Sequence, residues 1–253
     1  MNLYEAIRSR QAVRSYRNTP IAQEQLRRLQ SYTGRVVPLM EDIKTEFVFY
    51  NMEEKKFRPR GLFLVHSPHV LALYSEEKEG WAFNAGYMME QMALYMAAKG
   101  IGSCYMGGAK VLAKEGMRQA IVLAFGYGKK GIYRDQEEAK RLDLMKLCVF
   151  PEGKDISPDI SVILQAARLA PSSFNSQPWR FVVYKDRIHV FACSSRLNIP
   201  AADHFTGLNM GIVLSHMMLA AEEQWVSAQI IREDGLVEKE YRKGRYICTV
   251  TLS

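Results

Sequence analysis

Apolar positions along the chain follow two spacings, and the switches between them mark out its elements. Leu3, Ala6 and Ile7 share one helical face over Leu3 to Arg8. Thr19-Pro20 breaks the chain, and Ile21 to Tyr32 resumes helical spacing through Leu26 and Leu29. Glu46 to Tyr50 is aromatic and β-branched and predicts a strand. His69 to Tyr74 predicts another, ending in the polar run Ser75 to Glu79. Asn84 to Lys99 predicts a long helix carrying Met88, Met89, Met92 and Met96, stopped by Gly100. Ala120 to Phe125 predicts a strand closed by Gly126 and Gly128. Beyond a connector at Pro151 to Lys154, Ser157 reads as an N-cap with Pro158 in the first turn. Ile160, Ile163, Leu164 and Ala167 then give the i, i+3, i+4, i+7 spacing of an amphipathic helix. Trp179 to Tyr184 and Ile188 to Cys193 predict two strands joined by a turn at Lys185-Asp186. A second long helix over Asp203 to Glu223, and strands near Trp225 to Arg232 and Tyr246 to Leu252, complete an α+β pattern.

The pattern repeats. Phe47-Val48-Phe49-Tyr50 matches Phe181-Val182-Val183-Tyr184 at an offset of 134, and Leu29-Gln30 matches Leu164-Gln165 at 135. Asn84-Ala85-Gly86 and Asn209-Met210-Gly211, each at a long-helix start, are 125 apart. The order helix, strand, long helix, strand thus occurs twice, with a period too long for a solenoid. The expectation is two degenerate halves, 1–150 and 155–253, in one compact unit.

A chain of 253 residues, 48% hydrophobic, is large enough to bury a core, and a charged fraction of 24% gives no sign of disorder. The net charge of +7 can favour nucleic acid, anionic membranes or phosphorylated ligands. Its basic clusters, Lys55-Lys56 with Arg58 and Arg60, and Lys129-Lys130, are short enough for solvated loops. Cys104, Cys148, Cys193 and Cys248 are far apart in apolar surroundings. That spacing predicts buried free thiols rather than a zinc site or a disulfide framework. The N-terminus lacks the pattern of a signal or transit peptide. The longest apolar stretch, Leu208 to Ala221, is broken by Asn209, Ser215 and His216, so no membrane span is expected and the reading is a soluble, cytoplasmic protein.

Two segments could carry chemistry. Arg8, Arg10 and Arg14 lie within seven residues beside a helix end, and guanidinium forks suit a phosphate. Ala170-Pro171-Ser172-Ser173-Phe174-Asn175-Ser176-Gln177-Pro178-Trp179 sets hydroxyls and amides between a helix and a strand, where they suit the edge of a flat heteroaromatic ring. His66-Ser67-Pro68-His69 has no further ligands spaced around it and reads as a turn. His189, on a strand, and His204 and His216, on a helix, read as core or surface residues. The methionine-rich helix faces read as core.

Ala167 to Val183 resembles the loop and strand of the FMN-dependent nitroreductase family. Arg8 to Tyr16 is similar to its N-terminal arginine motif, and Ala98 to Gly108 to its segment after the central helix. Gly126-Tyr127-Gly128 with Lys140-Arg141-Leu142 resembles its late strand and basic motif. The resemblance implies a nitroreductase-like fold and FMN as cofactor. Arg8, Arg10 and Arg14 would hold the phosphate, with Lys140 or Arg141 completing the charge. Pro171, Ser172, Ser173, Asn175 and Gln177 would form the loop along the ribityl chain or ring edge. Backbone N–H groups near Met106 and Gly107 would face N5, and Tyr105 and Phe174 would wall the substrate side. The chain departs from the motif at Gln11-Ala12, where the family has a basic residue and a serine.

The family commonly forms homodimers. Here the arginine motif occurs only in the first half and the polar loop only in the second, where the first half has Thr33-Gly34-Arg35-Val36-Val37-Pro38. The expectation is one FMN per chain in a monomer that mimics the dimer, with a homodimer left open. The implied activity takes hydride from NADH or NADPH to a small acceptor such as a nitroaromatic or a quinone. The chemistry is borne by flavin, with no protein catalytic group and no metal. Positive charge and N–H donors near the ring favour its reduced, partly anionic state. A flavin-binding sensor or store without turnover is the alternative, and a basic nucleic-acid-binding protein the third reading. No recognised nucleic-acid motif accompanies the charge.

Overall fold

The first helix is set by its cap. The Asn2 side chain accepts from the Glu5 N–H and the Glu5 carboxylate accepts from the Asn2 N–H, a capping box that opens α1 (Leu3–Ser9) and buries Ala6 and Ile7. In this computed structural model the described residues are 1–52, 58–194, 205–233, 235, 237 and 240–253. They divide into two compact units, Met1–Glu138 and Ala139–Ser253.

In the first unit, α1 is followed by α2 (Gln23–Tyr32), β1 (Thr45–Asn51), β2 (Arg60–Gly61), β3 (His69–Ser75) and α3 (Trp81–Ala98). The unit then adds β4 (Gly102–Tyr105), β5 (Ala109–Lys110) and β6 (Arg118–Gly126). The main sheet runs β1-β3-β6-β4, all antiparallel, and β2 pairs separately with β5. β3 lies inside this sheet with all seven residues buried, which explains its near-continuous apolar sequence. His69, at its start, is buried and its Nε2 accepts from the Ile21 N–H at 3.2 Å.

The second unit contains α4 (Leu144–Leu147), β7 (Cys148–Val149), α5 (Pro158–Leu169), β8 (Trp179–Val183) and β9 (Arg187–Ala192). It finishes with α6 (Thr206–Glu223), β10 (Ala228–Ile231) and β11 (Arg245–Leu252). Ser157 caps α5 through the Ile160 N–H, with proline in the first turn as the sequence predicts. The sheet order is β10-β11-β9-β8-β7, antiparallel except for the β7–β8 pair.

Without the short β7, this second sheet reads β8-β9-β11-β10, the strand order of the first. Each unit thus places a helix, two strands, an 18-residue helix and two more strands in the same arrangement. The repeat extends to single bonds. Asn84 and Asn209 are each the fourth residue of their long helix, and each is buried. Asn84 Oδ1 accepts from the N–H groups of Leu39 and Met40, and Asn209 Oδ1 accepts from that of Ser173. In each unit the bond ties the long helix to the loop after the preceding helix. The fold is α+β, built from two degenerate copies of one topology.

Several expected boundaries move. The division between the units falls after Glu138 rather than at 150. Leu142 is hydrogen-bonded to Gln177, and Cys148–Val149 pairs with β8, so the segment before the Pro151 connector belongs with the second half. The helix predicted from Asn84 begins three residues earlier, at Trp81, because Gly80 in a left-handed conformation turns the chain into it. The short strands β2, β5 and β7 and the strand β4 were not expected; pieces of two to four residues carry no periodicity to read. Asp203 and His204, expected at the start of the second long helix, and Lys55 and Lys56 lie outside the described residues.

Candidate functional site

In the first unit, the segment after α1 leaves the helix and runs extended. The Gln11 N–H donates to Ile132 O and the Val13 N–H to Ser103 O, while those of Lys129 and Arg134 donate to Ser15 O and Ser9 O. These bonds clamp residues 9–17 against β4 and the 127–134 loop. Val13 fills the space left by Gly102, where a Cβ would lie 2.6 Å from Val13 Cγ2. The Gln11 amide donates to Gly131 O and Tyr133 O and secures the same clamp. Tyr16 ends the strip, buried, with its hydroxyl on Ala124 O, and burial pushes that hydroxyl far above the ordinary tyrosine range.

Three guanidinium groups lie in or beside the clamp, in different settings. Arg8 and Arg14 are exposed, and Arg8 Nε donates to Gln136. Arg10 is only 5% exposed, and its Nε has no hydrogen-bond partner. None of the three forms an ion pair among the described residues, whose bridges lie elsewhere. Burial raises the pKa of the neighbouring Cys104 thiol, and the positive charges of Arg14 and Arg10 oppose that rise. A buried cation with an empty donor is costly unless an anion satisfies it. A phosphate fits this donor set.

The strip is bonded to β4, which runs on into Met106 and Gly107. Here the two expected N–H donors separate. Met106 is buried and its N–H is engaged by Val122 O at 2.9 Å, because the segment still follows β6. Gly107 is exposed, and its N–H makes no hydrogen bond among the described residues, so it alone is available to a ligand. Tyr105 is turned inward, its hydroxyl donating to Glu90 on α3. Burial, and then the Glu90 charge, holds that hydroxyl well above its usual pKa. Tyr105 is therefore not an open wall. Glu90, fully buried, was missed in the sequence, although it is the only charged residue in α3.

In the second unit, the Pro171–Gln177 loop and the Lys140-Arg141 pair come together. Arg141 does not offer its guanidinium outward. Its Nε and Nη2 donate to Ala170 O and Leu169 O, closing the C-terminus of α5, and its Nη1 donates to Asn175 Oδ1 and Lys140 O. Asn175 Nδ2 donates to Lys140 O. Gln177 is buried, with Oε1 accepting from the Leu142 N–H and Nε2 donating to Asn175 O. Asn175 and Gln177 thus brace the loop. Sequence cannot distinguish these roles, since an amide that braces and one that binds have the same polarity. Phe174, Asn175 and Gln177 all have positive φ, a strained run that these bonds maintain. Ser172 Oγ accepts from the Gln177 N–H, Ser173 retains a partly exposed hydroxyl, and Phe174 is 45% exposed. Lys140 is exposed and forms no ion pair among the described residues.

Residues 2–221 match the model of a family described as "Putative TM nitroreductase". The chain belongs to this nitroreductase family. A solved structure from Thermotoga maritima MSB8, described as a putative nitroreductase, superposes over 100% of the chain and 93% of its own, with TM-score 0.66 at 20% identity. That likeness shows a nitroreductase fold. The Bacillus subtilis (strain 168) protein named putative NAD(P)H nitroreductase YfkO is 32% identical over 60 residues, 22% of this chain and 27% of its own. A Staphylococcus haemolyticus protein, also named putative NAD(P)H nitroreductase, is 31% identical over 87 residues, 32% of this chain and 37% of its own. The matches thus span about a quarter to a third of those curated relatives. No described helix of this family member is long and apolar enough to cross a membrane.

Proposed function

We propose that the chain binds one FMN and acts as an NAD(P)H-dependent oxidoreductase toward a small acceptor such as a nitroaromatic or a quinone. The observation that carries this reading is Arg10. A guanidinium 5% exposed, with an unpartnered Nε and no ion pair among the described residues, sits in a clamped strip with Arg14, next to Arg8 at the end of α1. Membership of the nitroreductase family and the NAD(P)H nitroreductase names of its partial relatives support the redox class.

Arg8, Arg10 and Arg14 hold the phosphate, and Lys140 rather than Arg141 adds the fourth charge, because Arg141 closes α5. The hydroxyls of Ser172 and Ser173 meet the ribityl chain or ring edge, and the Gly107 N–H faces the reacting edge. Bound flavin supplies the hydride chemistry, and this chain supplies binding, orientation and positive electrostatics. With one arginine strip and one serine loop per chain, the repeat stands in for two subunits of a dimer.

The test is reconstitution with FMN, followed by absorbance and titration. The expected outcome is a yellow protein with one flavin per chain, bleached anaerobically by NADH or NADPH and recoloured by an acceptor. Two flavins per chain, or none, overturn the proposal, and a colour that no nicotinamide bleaches reduces it to binding without turnover. The R10A and S173A variants, combined in a double-mutant cycle on FMN affinity, show whether strip and loop act on one ligand.

A further inference from the structure

The β2–β5 ladder of the first unit places Arg60 directly opposite Lys110. Side chains opposed in this way lie about 5 Å apart at Cβ, and like charges there are destabilising. Both residues are exposed, and neither forms an ion pair among the described residues. The approach of the two segments is nevertheless built in. A Cβ on Gly61 would lie 2.0 Å from Gly108 O, and one on Gly108 would lie 2.7 Å from Leu62 O. The Leu62 N–H donates to Gly108 O at 3.3 Å. Two glycines therefore hold two cations together where solvent alone would favour separating them.

The neighbours of this pair complete a recognisable chemistry. Leu62 and Phe63 follow Arg60 and are 71% and 76% exposed. Lys110 is three residues from Gly107, at most about 10 Å along the chain. Cations, an apolar surface and a free backbone N–H on these two paired segments suit a ligand with phosphates, a flat base and a reactive ring.

We propose that the Arg60–Lys110 ladder, flanked by Leu62 and Phe63, docks a phosphate of the incoming nicotinamide dinucleotide. This rests on the oxidoreductase reading and assigns the reductant a place that the nitroreductase motifs do not cover. The experiment uses FMN-loaded full-length protein and the R60E/K110E double variant. Binding of NADP+, NAD+ and adenosine 2′,5′-bisphosphate is measured by calorimetry at low and at high salt. A charge-assisted contact to phosphate corresponds to a loss of roughly tenfold or more in affinity, weakened by salt. A rise in Kd for NADP+ and the bisphosphate alone places the ladder on the 2′-phosphate. A similar rise for NADP+ and NAD+ places it on the pyrophosphate, and either result supports docking. Unchanged Kd values in a variant with full flavin content overturn the proposal. Failure of the flavin reading shows separately, as a wild-type protein that takes up no FMN before any nicotinamide is added.

Discussion

Replacing Arg10 by methionine should move the free protein and its flavin complex in opposite directions. Methionine keeps an unbranched apolar stem in the buried slot but removes the charge and its donors. Without ligand, Arg10 keeps a buried Nε unsatisfied, a penalty of about 1–3 kcal/mol. Removing it should raise the Tm of the flavin-free protein by roughly 2–12 °C, given ~2–4 °C per kcal/mol in a chain of this size. With FMN, the same substitution removes charge-assisted hydrogen bonds to phosphate, each about 1.5–3 kcal/mol, so Kd should rise by about 10- to 150-fold. Thermal unfolding followed by circular dichroism, with and without FMN, and quenching of FMN fluorescence read the two effects separately. A variant less stable when flavin-free and unchanged in FMN affinity would refute the reasoning, because Arg10 would then be a structural residue. Arg14→Met, at an exposed position, should weaken FMN with little change in the free protein's Tm.

Four further outcomes are expected. Gly102→Ala sets a Cβ against Val13 and should cost about 1–3 kcal/mol by overpacking while lowering FMN affinity, as read by denaturation and titration. Asn209→Ala frees the Ser173 N–H and should loosen the strained 172–177 loop, seen as faster amide exchange there and about 1–3 kcal/mol lost on unfolding. Burial lowers the pKa of His189 below its ordinary value, with Glu240 opposing the shift. The unfolded chain therefore binds the proton more readily, so His189 contributes stability above about pH 6.5 that is lost as pH falls toward the folded-state value. His189→Gln should flatten that loss in a pH series of unfolding curves, and an unchanged slope would exclude the residue. Burial pushes the Cys148 and Cys248 thiols up to about 12 and also raises Cys104, so a thiol reagent at pH 8 should label the partly exposed Cys193 first. The other three should react only in denaturant.

Long periodic elements were legible in the chain because burial imposes their spacing directly. Helices α3 and α5, strands β1, β3, β8 and β9, and the repeat of 125 to 135 residues are all written in runs or spacings of apolar residues. The arginine strip and the polar loop could be recognised as chemistry by residue type. Which of their groups remain free to bind could not. Asn175, Gln177, Arg141 and the Met106 N–H all look like ligand donors in sequence, yet each is taken up by a partner in its own unit. The partners lie up to 35 residues away in the chain, and hydrogen-bonding capacity is divided by geometry rather than by residue type.

The unit boundary shows the same division. Pro151–Lys154 reads as a connector, but the parallel pairing of β7 with β8 and the Leu142–Gln177 bond assign residues 139–150 to the second unit. Sequence alone determined that two copies of one α+β pattern exist and that only one carries each cluster of candidate ligands, since patterning and composition are properties of the linear chain. Tertiary structure decided that Arg10 is buried with an empty donor, that Gly107 rather than Met106 offers its N–H, and that Arg60 faces Lys110. Those facts depend on which groups meet across the fold, and a linear pattern does not encode such meetings residue by residue.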